Sequence, residues 1–250
     1  MTLKAMAHPN GSYKFLPAIA AYSAGIATMP GFEITALRIT SPLSLEAGFE
    51  VIDNEISKRG LKSESLAGLQ LRSPKVFSFN EFSEFNEKYR NLLLERSLIL
   101  GDVNPIPRTN VIPIIDVPLV PCIATAFLVH PSQNNGGEDF IVAGAGEVAG
   151  TLDPTNIVAR GDISESGMSL KVDCVLEEML ARLLALGFNG LSPTVINVYT
   201  IHEILKLQEL ISKKLSAINV HGYTSWLTKP PVAEIEFEMD CSRFSNWRAV

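Results

Sequence analysis

The chain has 250 residues, of which 46% are hydrophobic and 19% charged, and its formal net charge is −6. This length and apolar content are enough for one large domain or two small ones. The acidic balance, without any cluster of Lys and Arg, argues against a nucleic-acid-binding protein, because phosphate binding needs a basic face.

Cysteine use and the apolar stretches predict the cellular setting. Cys122, Cys174 and Cys241 are widely spaced and form no CxxC pair. We therefore expect buried free thiols and a reducing, cytoplasmic location. The N-terminal segment lacks the continuous apolar run of a signal peptide. Pro, Asp or Gly interrupts every apolar stretch before the ~18 residues that a membrane helix needs, so we expect no membrane association.

Hydrophobic periodicity in the first half of the chain predicts alternating strands and helices. Apolar residues at helical spacing predict helices over Leu45–Leu61 and Glu81–Arg96. Strict alternation predicts a short strand over Lys75–Phe79. Further strands are predicted for the stretches "IAAYSAGI", "EITALRI", "TNVIPII" and "CIATAFLV".

A polar segment rich in Gly and Asn, His130–Asp139, is typical of a linker. Beyond it, helices are predicted over Ser169–Phe188 and Ile201–Leu215. Strands are predicted for "DFIVAGAGEV", "IVARGDI" and "TVINVYT". Val232–Cys241 alternates three glutamates with apolar residues, which predicts a half-buried strand with its carboxylates on one face.

The two halves repeat one another. A Ser-Pro-x-Val motif begins at Ser73 and again at Ser192, each time after a helical pattern and before a β-rich run and another helix. We therefore predict an α+β fold made of two tandem ββαβαββ units, with helices packed on one face of each mixed sheet. The units would cover residues 1–129 and 140–250, joined by the linker at 130–139.

Arg108 lies in a stiff turn, "NPIPRTN", at Asn104–Asn110. Prolines fix φ and remove backbone donors, so this turn is not helical. A guanidinium group held on a rigid turn is well suited to binding a carboxylate. The alternative is an ordinary solvent-exposed arginine in a loop.

The residues around this turn resemble the RidA/YjgF family of enamine and imine deaminases, whose fold is chorismate-mutase-like. "PRTNV" is similar to the family's carboxylate-binding turn and "VFSFNEFSEFNEKYRNLL" to its strand-then-helix segment. "AYSAGI" resembles its Ser-Gly strand end, and "GSYKF" its N-terminal tyrosine segment. The substrate-binding residues that this resemblance implies are Arg108, Tyr13, Gly25, Asn86, Asn110 and Tyr223.

The second half resembles the family more weakly. "VAEIEFEM" is similar to the family's final strand, which puts Glu236 at its catalytic glutamate. The first half has Ile123 at that glutamate position, and the second half has Tyr223 at the arginine position. The resemblance therefore implies a fused tandem in which Arg108 and Glu236 line one cleft between domains. The alternative is that the glutamates are the solvated face of a strand.

The resemblance implies hydrolysis of a small carboxylated 2-imino or 2-enamino acid, such as a 2-aminomuconate-type intermediate, to a keto compound and ammonia. The arginine would orient the carboxylate and the glutamate would act as general base, without a metal or organic cofactor. The alternatives are a non-catalytic module that binds a small acid and a hydrolase of a chorismate-like dicarboxylate. Because the family barrel is trimeric and one chain supplies two domains, we expect a homotrimer.

Overall fold

The computed structural model describes residues 3–133 and 137–250, which form a mixed α+β fold. Residues 134–136 of the predicted linker and residues 1–2 of the predicted first unit lie outside the described residues. The strands are β1 (Met6–Ala7), β2 (Tyr13–Leu16), β3 (Gly25–Thr28), β4 (Phe32–Arg38), β5 (Leu66–Arg72), β6 (Arg108–Pro113), β7 (Cys122–Pro131), β8 (Phe140–Gly146), β9 (Val195–Thr200), β10 (Thr224–Lys229), β11 (Glu238–Arg243) and β12 (Asn246–Ala249). The helices are α1 (Leu45–Lys58), α2 (Phe79–Glu95), α3 (Glu165–Leu186), α4 (Leu207–Ser212) and α5 (Ile218–His221).

In the described part of the chain the strands form one large sheet, in the order β1-β2-β3-β8-β11-β9-β10-β6-β5-β7-β4-β12. Each end of the chain contributes a strand that pairs with a strand of the other half. Strand β3, near the N-terminus, pairs with β8 of the second half. Strand β12, at the C-terminus, pairs with β4 of the first half. Strands β10 and β6 join the two parts of the sheet.

Three apolar cores hold these layers together. One lies mainly between α1, α2 and the strands of the first half, with Val232 and Ile235 added from the second half. Another lies between α3 and the strands of the second half, with residues of β2 and β3 added from the first half. The third, called the inner core below, lies on the face of the sheet opposite the helices. Strand β7 shows why: Ala126 and Leu128 pack towards the helices, whereas Phe127 and Val129 pack into the inner core. Alternate residues of a strand point to opposite faces, so β7 contributes to both cores.

The three long helices are confirmed, and serine caps fix where they begin. Ser44, Ser78 and Ser164 each accept a hydrogen bond from a first-turn backbone N–H of α1, α2 and α3. Ser78 also forms a capping box with Glu81. The predicted strand over Lys75–Phe79 is therefore wrong, because its last residues are the cap and first turn of α2.

In the second half one prediction is wrong and two hold only in part, in each case where the backbone enters the left-handed region. Lys206 has φ 56°, and only Leu207–Ser212 of the predicted helix Ile201–Leu215 is helical. Ala159 has φ 46°, and the predicted strand "IVARGDI" is an irregular turn. Glu234 has φ 70°, so the predicted strand Val232–Cys241 begins only at Glu238. A positive φ is unusual for a residue other than glycine, and it ends regular structure locally.

No helix in residues 3–133 and 137–250 combines the length and the apolar character needed to cross a bilayer.

Candidate active site

Arg108 opens β6 and its side chain is buried, with 3% of the residue exposed. The face of α2 towards Arg108 carries Phe82, Phe85, Asn86 and Tyr89. Their spacing of i, i+3, i+4 and i+7 places them side by side on the helix. The guanidinium carbon lies close to four aromatic ring centroids, those of Tyr89 (4.7 Å), Tyr22 (4.9 Å), Phe85 (5.3 Å) and Phe82 (5.6 Å). Asn86 Oδ1 accepts a hydrogen bond of 2.7 Å from its Nη2. Arg108 is therefore not the solvent-exposed arginine of the alternative interpretation.

Two buried donors in this cluster have no partner among the residues that the structure describes. They are Nη1 of Arg108 and the hydroxyl group of Tyr89. An unsatisfied buried donor costs about 1–3 kcal/mol, and more when it is charged. Such a pair of donors beside a buried cation is suited to an anion with two oxygen acceptors, which describes a carboxylate.

Glu238 is the carboxyl group whose charge acts on Arg108. It opens β11 and is 6% exposed. It packs so closely against Gly144 that a Cβ atom there would overlap its Oε1. Neither carboxyl oxygen has a hydrogen-bond partner in the described ranges. Burial and the neighbouring Asp240 charge raise the pKa of Glu238 to about 8, although Arg108 and Arg182 act to lower it. At neutral pH Glu238 is thus mostly a neutral acid.

Asp240 lies two residues further along β11, on the same face as Glu238. It accepts hydrogen bonds from Asn197 Nδ2 (2.7 Å), Thr109 Oγ1 (2.7 Å), Tyr199 OH (2.9 Å) and Gln70 Nε2 (3.1 Å). Burial raises the pKa of Asp240, whereas these hydrogen bonds lower it. Thr109 Oγ1 also accepts a hydrogen bond from the Gly144 backbone N–H at 3.0 Å. This network therefore connects β6, which carries Arg108, to the strand against which Glu238 packs.

The structure brings three of the predicted substrate-binding residues to this region. Asn86 holds the guanidinium group of Arg108. Asn110 lies two residues beyond Arg108 on β6; its Oδ1 accepts from Ser73 Oγ at 3.0 Å, and its Nδ2 is buried without a partner in the described chain. Gly25 lets β3 lie tightly against β8, because a Cβ atom there would be 2.7 Å from the Ile141 carbonyl oxygen.

The two predicted tyrosines lie elsewhere. Tyr13 stacks on His8, with ring centroids 4.5 Å apart, and packs into the inner core. Tyr223 is half-buried against the core beneath α3. Neither is one of the four aromatic residues around Arg108. The tyrosines in contact with Arg108 are instead Tyr22 and Tyr89.

Glu236, the predicted catalytic residue, is half-buried and its Oε2 lies 2.7 Å from His202 Nε2. The period-two pattern that selected it breaks at Glu234, which is exposed and paired with Arg160. The three glutamates therefore have three different surroundings, and only that of Glu238 includes Arg108. The solvated-face alternative holds for Glu234 and fails for Glu238. A catalytic role for Glu236 stays a prediction, and the geometry favours Glu238.

The sequence interpretation missed Tyr22, Arg182, Glu238 and Asp240 as site residues. Two of them carried a signal. Tyr22 directly precedes the Ser-Ala-Gly stretch that was recognised as a strand end. Arg182 lies three residues after Met179, on the apolar face of α3. A buried charged side chain is rare in such a position unless it is paired.

A small cavity lies beside Arg108. The cavity next to Arg108 measures about 10 Å³, which is about the space of one water molecule, and is lined by Thr109, Asp240 and neighbouring residues of β5, β6, β8 and β11. Among the four aromatic residues around Arg108, Tyr22 alone is half-buried and the other three are buried. Tyr22 is therefore the aromatic residue of this cluster that lies nearest to solvent.

Two sequence comparisons identify the family to which the chain belongs. A family model described as "2-aminomuconate deaminase CnbZ" matches residues 5–248. A 2-amino-5-chloromuconate deaminase from Comamonas testosteroni is 36% identical over 236 residues, 92% of each chain. Among solved structures, a chorismatase is 12% identical, with a TM-score of 0.49 over 96% of this chain and 79% of that one. The E. coli YjgF gene product is also 12% identical, with a TM-score of 0.28 over 46% of this chain and 91% of that one. The family match spans nearly the whole chain, and the protein therefore belongs to the CnbZ family of 2-aminomuconate deaminases.

Proposed function

We propose that this protein deaminates 2-aminomuconate or a close analogue, releasing ammonia and the corresponding 2-oxo dicarboxylate. The observation that carries this proposal is the pairing of a buried arginine, with a free Nη1, and a buried carboxyl group, Glu238, whose pKa burial raises to about 8. Family membership supplies the substrate class.

Binding comes first. The substrate carries a carboxylate on the carbon that bears the amino group. Arg108 Nη1 and the Tyr89 hydroxyl group, both without partners in the described residues, would donate to that carboxylate. Asn86 accepts a hydrogen bond from Nη2 of Arg108 and so fixes the orientation of the guanidinium group. Fixing the carboxylate orients the adjacent carbon for reaction.

Protonation of the enamine follows. The nitrogen lone pair pushes electrons through the C=C bond, and the chain carbon takes the proton of the Glu238 carboxylic acid. This forms a C=N iminium group and leaves Glu238 as a carboxylate. The step needs an acid that is protonated at working pH, and burial provides one in Glu238.

Hydrolysis completes the reaction. The Glu238 carboxylate accepts a proton from water as the water oxygen attacks the iminium carbon. The resulting carbinolamine receives that proton on nitrogen. Its C–N bond then breaks and the C=O bond forms as ammonia leaves, and the Glu238 carboxylate takes up the hydroxyl proton. One carboxyl group thus acts as acid, base, acid and base in turn, and it ends protonated as it began.

A matched pair of substitutions tests which glutamate reacts. Glu238→Gln should lower kcat by at least about 100-fold, the usual scale of general acid–base catalysis, with little change in KM. Glu236→Gln should keep most of the activity. The assay is ammonia release from 2-aminomuconate. The reverse result would return the role to Glu236.

Arg108→Lys tests the carboxylate anchor, because a point charge does not reproduce a planar fork. Losing the charged hydrogen bond from Nη1 to the carboxylate costs about 1.5–3 kcal/mol, which is roughly 10- to 100-fold in kcat/KM. Unchanged turnover in Arg108→Lys and Arg108→Ala would rule out this role. Tight binding of the acid without any ammonia release would instead favour the non-catalytic binding module.

The proposal extends to organisation and assembly. We take the two halves as diverged tandem units, with α1 and α2 covering the first and α3 the second, as the separate cores support. We propose a homotrimer in the cytoplasm. The loop between β6 and β7 supports association, because it exposes a run of apolar side chains at Ile114, Ile115, Val117, Leu119 and Val120.

A further inference from the structure

A second arginine reaches the same region from the opposite side. Arg182 belongs to α3, and only 9% of it is exposed. Its Nη1 donates to the Ala143 carbonyl oxygen at 3.0 Å and its Nε to Glu178 Oε1 at 2.8 Å. Its Nη2 has no hydrogen bond in the described ranges. Ala143 directly precedes Gly144, against which the Glu238 carboxyl group packs.

An irregularity in the sheet explains why Arg182 can reach this point. The register of β11 against β8 shifts between Met239 and Cys241, so Ala143 and Gly144 leave the regular ladder there. Side chains then satisfy the freed backbone groups: Thr109 accepts from the Gly144 N–H, and Arg182 donates to the Ala143 carbonyl. Bulges next to active sites commonly redirect side chains in this way.

On the other side of β8, β3 begins at Gly25, next to the irregularity at Ala143 and Gly144. Gly25 still pairs with Val142, but Ser23 already bridges to Pro107, the residue before Arg108. Tyr22 directly precedes this bridge, and its ring centroid lies 4.9 Å from the guanidinium carbon of Arg108. Burial raises the pKa of Tyr22, whereas the charges of Arg108 and Arg182 both lower it. The same two charges act on Glu238.

Arg108 and its neighbours already provide the donors for one carboxylate. Arg182 forms an ion pair with Glu178 through its Nε, but its Nη2 has no hydrogen bond in the described residues. A second carboxylate on the substrate would give that nitrogen an acceptor in a largely buried site, where an unsatisfied donor is costly.

We propose that Arg182 binds the second carboxylate of the substrate, the one remote from the reacting carbon, and so makes the site selective for dicarboxylates. This inference rests on the proposed function for the identity of the reaction, but not for the binding of the acid. Arg108 would hold the carboxylate next to the amino-bearing carbon, and Arg182 would hold the far end of the chain.

The test compares two acids that share one carbon chain. Muconate has a carboxylate at each end, and hexa-2,4-dienoate has only one. Binding is measured by calorimetry, which requires no turnover. The wild-type protein should bind muconate about 10- to 100-fold more tightly, the usual worth of a charge-assisted hydrogen-bonded contact. Arg182→Gln should abolish that preference and leave the affinity for hexa-2,4-dienoate unchanged.

Two further variants control for structural effects. Glu178→Gln removes the ion-pair partner of Arg182 but keeps the guanidinium group, so the preference for muconate should persist. Arg182→Lys keeps the charge and should keep part of the preference, and it serves as the test if Arg182→Gln does not fold.

Three results would overturn the assignment: no preference in the wild-type protein, an undiminished preference in both Arg182 variants, or equal losses for both acids. Failure of the deaminase proposal would look different, since dicarboxylate preference would remain while no ammonia is released from 2-aminomuconate.

Discussion

Surroundings, rather than residue type, separate the glutamates near the start of β11. Glu234 is exposed and paired with Arg160, Glu236 contacts His202, and Glu238 is buried without a hydrogen-bond partner in the described chain. Desolvation disfavours the charged form of a carboxyl group, so the buried member stays protonated at a pH where the exposed one is ionised. This difference makes Glu238 the one suited to deliver a proton.

The pH dependence of the reaction follows from that pKa. The acid form of Glu238 is needed, so kcat/KM should fall as the pH rises through about 8. Asp240 is one of the causes that raise the pKa of Glu238. Asp240→Asn removes this charge. The decrease of kcat/KM at alkaline pH, the alkaline limb of the profile, should therefore move to lower pH. The measurement is the pH profile of kcat/KM for both proteins.

A control makes the same charge change far from the site. Glu234→Gln also removes one carboxylate, but from an exposed position, and should leave the limb in place. A limb that does not move in Asp240→Asn contradicts the electrostatic coupling between Asp240 and Glu238.

At the scale of elements, a buried ion pair fixes the segment that leads into β11. Lys171 of α3 lies 3.1 Å from Glu147, and neither side chain is exposed. The Glu147 carboxylate accepts backbone N–H groups of Glu236 at 2.7 Å and Phe237 at 3.0 Å. Lys171 Nζ also donates to the Val158 carbonyl at 3.1 Å. The pair therefore ties α3, the residue after β8 and the approach to Glu238 together.

Lys171→Met should destabilise the protein by about 3–5 kcal/mol, because it leaves a buried carboxylate without its partner. Urea unfolding measures the change in the free energy of unfolding. Lys214→Met is the matched control, since its ion pair with Glu177 is largely exposed and should be worth about 1 kcal/mol or less. Equal effects of the two substitutions would mean that burial of the pair is not what stabilises this segment.

At the scale of the whole molecule, the apolar loop between β6 and β7 predicts assembly. Leu119 is 96% exposed, and four other apolar side chains of this loop are exposed beside it. We expect sedimentation equilibrium to give three times the chain mass of 27.2 kDa at micromolar concentration. Leu119→Asp should weaken the assembly, because burying a charge in an apolar interface is unfavourable.

Leu191→Asp provides the comparison, because Leu191 is also exposed but lies outside this loop, and its substitution should leave the mass unchanged. The mass of a single chain for the wild-type protein would exclude the trimer.

Local patterns in the sequence were sufficient for the long helices α1, α2 and α3 and for strands β4, β6, β7, β8 and β9. They also predicted Arg108 and Asn86 as site residues, and the structure joins these two side chains by a hydrogen bond. Each of these depends on periodicity or on a short motif, which neighbouring residues determine by themselves. The motifs around Arg108 also led to an aminomuconate-type deaminase, in agreement with the family that matches the chain.

Tertiary structure decided the rest. The sequence pattern treats three alternating glutamates alike, but the left-handed backbone at Glu234 and the register shift between Met239 and Cys241 give them different surroundings. Tyr22, Arg108, Arg182 and Glu238 come from four distant segments. They meet because β3 pairs with β8 and Ser23 bridges to Pro107. Packing over the whole molecule determines which strands pair. The hydrophobic periodicity of one segment does not indicate which other strand it will pair with.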